Sequence, residues 1–180
     1  MKLTRARSDA GPVVSAVLPR DGIARLTHDK SMSQPDTDEA SARPHLIRIA
    51  AAVLVGPDGR TLVVRKHGSE IFMQPGGKID SGESALGALV RELHEELALV
   101  VDPADCLPLG RFRAPAANEA DAMVEADAFV VTLSPSVSDE LAVQAELAEL
   151  RWIDPVAPGE IRLALLSRDH ILPAWLSQRG

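Results

Sequence analysis

Three glutamates give the first indication of chemistry. Glu92, Glu95 and Glu96 stand at i, i+3 and i+4 in the run Arg91-Glu92-Leu93-His94-Glu95-Glu96. On a helix that spacing gathers three carboxylates on one face. Like charges so placed cost roughly 0.2–0.5 kcal/mol per pair. Glu95 and Glu96 also fall near the helix C-terminus, where the macrodipole disfavours each anion by about 0.3–1 kcal/mol. A solvated acidic face is the plain explanation for an isolated pair of glutamates. A divalent cation would instead turn the penalties into ligands. Hard oxygen donors suit Mg²⁺ or Mn²⁺, with waters and phosphate oxygens completing an octahedron. Pro75-Gly76-Gly77 precedes the helix. Without Cβ atoms the two glycines let the backbone turn and come close to an ion or ligand, and Pro75 stiffens the approach. Loop and helix together read as a compact acidic cup.

The elements that must hold this cup are legible in the hydrophobic pattern. Leu86, Leu89, Val90, Leu93 and Leu97 recur at helical spacing and predict a helix over 85–97. Residues 46–55 form an Ile/Val/Ala-rich run that suits a buried strand. Pro57-Asp58-Gly59 is a turn signal leading into a second strand over 61–65, so the two read as a hairpin. A short strand is expected at 71–74, with Phe72 packed beneath the loop that 75–77 forms. Further strands are expected at 107–113, 123–133 and 150–153, and a C-terminal helix within 161–176. Trp152 and Trp175 read as anchors of the core or its edge. Strands mixed with helices at the middle and the end predict an α/β layered domain.

The pattern also carries a family resemblance. Gly77, then five residues, Glu83, then seven residues, then Arg91-Glu92-Leu93-His94-Glu95-Glu96-Leu97-Ala98-Leu99 resembles the Nudix box, G-x5-E-x7-R-E-U-x-E-E-x-G-U, where U is bulky and apolar. One position departs, since Ala98 stands where the family has its second Gly, the residue that ends the helix at positive φ. The resemblance implies an α/β/α sandwich with a mixed sheet over 45–180. It implies Mg²⁺-dependent hydrolysis, by water, of a nucleoside diphosphate linked to another group. It further implies Glu92 and Glu96 as metal ligands, Glu95 as a ligand or the holder of the attacking water, the Gly76 carbonyl as a backbone ligand, and Arg91 with Glu83 as an ion pair that orients the glutamates. A further acid comes from outside the box in such proteins. Glu146, six residues before Trp152, is the first choice as catalytic and metal-binding acid, with Glu149, Glu119 and Glu125 as rivals. Direct attack by water agrees with the lack of a Ser or Cys nucleophile paired with His.

Composition sets the bounds. The chain has 180 residues and a net charge of −7, which argues against stable grip on a nucleic-acid backbone or an anionic membrane. The longest unbroken apolar run, 49–55, is too short to span a bilayer. The single Cys106 excludes an internal disulfide and a Cys-based zinc site. No secretion signal is read at the start, so a cytoplasmic protein is expected. Residues 1–44 resemble a flexible extension, rich in Ser, Asp, Arg, Thr and Pro. Residues 1–31 carry a net +3, the rest −10, Met32 is a second plausible start, and 13–18 could add a short strand. Nucleoside triphosphates rank first as substrates, then sugar nucleotides and dinucleoside polyphosphates, with a homodimer left open. Aromatics make up only 3% and Tyr is absent. Gln74 stands where an aromatic or Leu is common, and it can hydrogen-bond a base or sugar edge without stacking. Lys78, Arg65 and Lys66 read equally as phosphate contacts or as ordinary surface cations.

Overall fold

The structure, a computed structural model, describes residues 45–117 and 121–179. The expectations for 1–44, and for Asn118-Glu119, lie outside the described residues. The chain forms strands β1 (His45–Val55), β2 (Thr61–Lys66) and β3 (Gly76–Lys78), helix α1 (Ala85–Leu97), strands β4 (Leu107–Pro115) and β5 (Ala122–Thr132), helix α2 (Pro135–Glu140), strand β6 (Leu147–Ile153), and helix α3 (Leu172–Gln178). Short 3-10 and π turns precede β4 and α3, at Pro103–Asp105 and Ser167–Ile171. The sheet runs β4-β5-β1-β2-β6, with β3 paired to β1. β1 and β5 are parallel over eleven residue pairs, and the other pairings are antiparallel.

β1 explains the architecture. Its even residues, Ala50, Ala52 and Leu54, pack with Leu89, Leu93 and Leu97 of α1. Its odd residues, Ala51, Val53 and Val55, pack with Leu166, Ile171, Leu172 and Trp175 of the C-terminal segment. Each face of the strand buries its side chains in a different layer, because successive side chains point to opposite sides. The result is the α/β/α sandwich with a mixed sheet that the sequence implied. Trp175 anchors one layer, and Trp152 packs at the edge of the other. None of the helices formed by the described residues is long and apolar enough to cross a membrane.

Three predicted elements differ. Residues 76–78 are a strand, not a loop. β2 pairs with β6 along its whole length but with β1 only at Leu54↔Leu62 and Val55↔Thr61, so beyond Leu62 it diverges from β1. That departure leaves the edge of β1 at Ile49–Ala51 open, and Gly76–Lys78 takes it. The expected strand at 71–74 reduces to two isolated bridges, Val64↔Met73 and Phe72↔Leu163. The C-terminal helix begins later than expected, because 162–164 are held extended against Phe72 by two backbone hydrogen bonds of 2.8 Å.

α1 has the predicted bounds, and its ends show why. Ser84 caps it by accepting a hydrogen bond from the Gly87 N–H at 3.0 Å. At the exit Ala98 takes φ +53°, its N–H donates to the His94 carbonyl, and the Leu99 N–H donates to the Leu93 carbonyl. This is the left-handed closure that a Gly would make without strain. Ala98 keeps the geometry while carrying about 1–2 kcal/mol of steric cost. Ala98→Gly is expected to raise the melting temperature by roughly 2–4 °C per kcal/mol relieved. A calorimetric scan showing a lower midpoint would refute the strain.

Candidate active site

The packing of α1 decides which of its acids face inward. Leu89, Leu93 and Leu97 are buried on the sheet, and this turns Glu92 and Glu96 toward β3 while Glu95, with 53% of its side chain exposed, faces solvent. Glu96 is 2% exposed. Its Oε2 accepts a hydrogen bond from the Gly76 N–H at 3.1 Å, and its Oε1 is buried without a partner. Burial is the main reason its pKa is pushed up to about 7; Glu92 and Glu146 push the same way, while the Gly76 N–H and Lys66 oppose them.

Both glycines answer a close approach. A Cβ on Gly77 would lie 2.2 Å from Cδ of Glu92, so the carboxylate rests directly against the backbone. Gly76 has φ +134°, and a Cβ there would lie 2.2 Å from the Ala50 carbonyl oxygen of β1. One glycine makes room for the helix acid, the other for strand pairing.

Arg91 organises the rest. Its Nε and Nη2 form a fork on the two oxygens of Glu83, each at 3.0 Å. Nη2 also donates to the Lys78 carbonyl at 3.1 Å, and Nη1 reaches Glu92 at 2.8 Å and Glu95 at 3.4 Å. Glu83 additionally accepts from the Asp80 N–H at 3.1 Å. The Arg91 fork, and then that backbone hydrogen bond, hold the Glu83 carboxyl below the usual carboxylate range. One guanidinium thus ties the chain between β3 and α1 to the helix.

The structure separates the rivals for the outside acid. Glu146 pairs with Lys66, and both line the cleft beside Glu92. Glu149 is held by Arg65 at 3.0 Å and by Arg151. Glu125 is buried against Arg113 and faces Arg48. Among the described residues no three His, Cys, Asp or Glu side chains converge in the manner of a preformed metal site: Arg91 draws Glu92 and Glu95 to itself, and Lys66 draws Glu146. The cup is therefore narrower than the three helix glutamates suggested. Its inner part is Glu96 and Glu92 on the two glycines, with Glu146 across the mouth.

Glu92 and Glu146 stand in the wall of a cleft of about 520 Å³, a size suited to a small ligand. Lys66, Gln74, Gly76, Gly77, Lys78, Glu92 and Glu146 line it together with Ile47, Ile49 and Ala51 of β1 and Ala164, Leu166 and Ile171 of the C-terminal segment. The sequence reading missed these apolar walls. Ile47, Ile49 and Ala51 alternate along β1, so a period of two was there to find inside a run read as uniformly buried.

Glu96 makes a pH prediction for metal-free protein. Its native pKa lies above its ordinary value of 4.5, so between about 4.5 and 7 the native state binds more protons than the unfolded one. The contribution is whole below that window and lost as pH rises through it, at most about 3 kcal/mol. In chelator-treated samples the wild-type melting temperature is expected to fall relative to Glu96→Gln between pH 5 and 7.5. Parallel profiles would refute it.

Comparison with known proteins agrees with this geometry. The family description "NUDIX domain" matches residues 45–174. An RNA pyrophosphohydrolase of Halorhodospira halophila is 39% identical over 61 residues, 34% of this chain and 33% of that protein. The match thus spans about a third of the relative's length. Among solved structures, the ORF135 protein of E. coli superposes with a TM-score of 0.59 at 25% identity, covering 76% of this chain and 92% of that one. A MutT protein from Methanosarcina mazei gives 0.61 at 20% identity, covering 76% and 97%. A family description matched over more than two-thirds of the chain, on a sandwich whose box helix docks its acids against the glycine strand, establishes that this chain belongs to the Nudix family.

Proposed function

We propose that this protein hydrolyses a phosphoric anhydride bond in a nucleoside diphosphate linked to another group, with a divalent cation held at Glu96 and Glu92. The observation that carries this reading is the Glu96 carboxylate, buried with one oxygen unpartnered. A buried carboxylate oxygen without a donor is costly, and here it has Glu92 and Glu146 as electrostatic neighbours. Hard donors in that arrangement fit Mg²⁺ or Mn²⁺, with Glu146 and the Gly76 carbonyl as further ligands. When bound, the cation supplies charge neutralisation and Lewis-acid polarisation of the diphosphate.

The chain's own residues supply the rest. Arg91, locked on Glu83 and the Lys78 carbonyl, fixes the helix against β3. Glu95, exposed beside Arg91, is assigned in this reading to orient the attacking water and accept its proton. Lys66 and Lys78, which line the cleft, bring positive charge to the phosphates. The apolar lining of the cleft takes the organic part of the substrate and keeps water from it. Nucleoside triphosphates, sugar nucleotides and dinucleoside polyphosphates are the substrate classes to test. An RNA substrate joins them because of the RNA pyrophosphohydrolase relative.

Release of phosphate or pyrophosphate from that panel in Mg²⁺ measures the activity. No turnover above a Glu95→Gln/Glu96→Gln control would defeat the hydrolase reading, and stabilisation by nucleotides without turnover would favour a binding module. Glu96→Gln alone is expected to lower the rate at least about a hundredfold. A near wild-type rate at saturating Mg²⁺ would remove Glu96 from the metal's ligands. Millimolar Mg²⁺ is also expected to raise the wild-type melting temperature and not that of Glu96→Gln. Equal shifts in both proteins would place the cation elsewhere.

A further inference from the structure

The cleft wall holds a polar side chain that the hydrolytic site does not use. Gln74 is 5% exposed, and neither Nε2 nor Oε1 of its amide has a hydrogen-bond partner. Folded proteins rarely leave both halves of a buried amide unpaired, because each missing bond forfeits the solvation given up on burial. Phe72 packs into the C-terminal layer, Met73 bridges to Val64 and packs on the α1 layer, and Gln74 lines the cleft with Gly76 and Gly77. Apolar residues of the same cleft include Ile47, Ile49, Ala51, Val124 and Leu166, and no aromatic ring stands among the described wall residues.

We infer that Gln74 reads the base of the nucleotide substrate, its amide pairing with a planar edge that carries a donor beside an acceptor. This rests on the cleft being the nucleotide site. An amide offers an N–H donor and a carbonyl acceptor side by side, and every nucleobase presents such a pair. No protein group fixes which way the Gln74 amide faces, so a half-turn about its last bond exchanges donor and acceptor. Amino-type edges (adenine, cytosine) and keto-type edges (guanine, uracil) are then served alike. Gln74 therefore selects for the presence of a base, and not between amino and keto bases. The aliphatic walls enclose the pair without stacking on it, so loss of the amide is felt at full strength.

Calorimetric titration in Mg²⁺ with α,β-methylene-ATP, α,β-methylene-GTP, α,β-methylene-2′-deoxy-ATP and inorganic tripolyphosphate tests this, because binding is read whether or not the protein cleaves nucleotides. Wild type is expected to bind the ATP and GTP analogues within about tenfold of one another. Gln74→Met is expected to weaken all three nucleosidic analogues at least about tenfold and to leave tripolyphosphate unchanged. Its melting temperature should not fall, since an unpaired amide gives way to an apolar chain of similar length, and Gln74→Leu repeats the comparison should Met pack poorly. Wild-type binding to neither ATP nor GTP analogue, more than a hundredfold discrimination between them, unchanged affinity in Gln74→Met, or equal loss of tripolyphosphate would overturn the inference. A loss that vanishes with the 2′-deoxy analogue would assign the amide to the sugar and also overturn it. Binding through Gln74 without turnover of any member of the substrate panel would leave the inference standing and remove the hydrolase reading.

Discussion

A carboxylate taken out of water has to be answered by other charges or dipoles, and Glu96 is answered on one oxygen only. The Gly76 N–H reaches Oε2, and Oε1 is buried without a donor. The free energy that puts Glu96 there comes from its neighbours on the same helix. Leu89, Leu93 and Leu97 bury their side chains on the sheet, at about 1.5–3 kcal/mol each, and the helix cannot seat them without carrying Glu92 and Glu96 inward. Hydrophobic packing thus offsets an electrostatic cost. The same docking demands glycine at 77, since the Glu92 carboxylate occupies the space of a Cβ.

Local compensation keeps so many acids in one place within a chain of net charge −7. Arg91 binds Glu83 through its fork and touches both Glu92 and Glu95, while Lys66 binds Glu146. Each cation neutralises a carboxylate that would otherwise repel Glu96 and its neighbours. On the α1 side of the sheet a separate ladder, Arg48, Arg111 and Arg113 with Glu125 and Asp127, settles its own charges and leaves the cleft free of them. The acids that stay under-compensated, Glu96 above all, mark the place where an added positive charge would gain most.

The cleft wall is chemically mixed. Charged side chains and glycine backbone share it with aliphatic side chains of β1 and the C-terminal segment. A ligand that carries both anionic and apolar parts matches such a lining. The C-terminal segment contributes through its late helical start, because 162–164 stay extended beside Phe72 and so bring Ala164, Leu166 and Ile171 to the cleft wall.

α1 was legible to the residue, because its determinants are local: apolar side chains at a period of 3.6, and three glutamates at spacings that any helix would align. The box pattern was legible for the same reason, being a pattern of residue types along the chain. Residues 76–78 as a strand, the partition of Glu92 and Glu96 from Glu95, and the unpaired burial of Gln74 were not legible. Strand pairing depends on β2 leaving the edge of β1, an event between segments far apart in sequence. Which acids turn inward depends on how the helix lands on the sheet, and Gln74 shares its cleft with residues as distant in sequence as Ile171 that share no local pattern with it. Sequence by itself determined the helix, its charges and the family; only the tertiary structure decided which charges left water, because desolvation is imposed by neighbours that the chain brings together in folding.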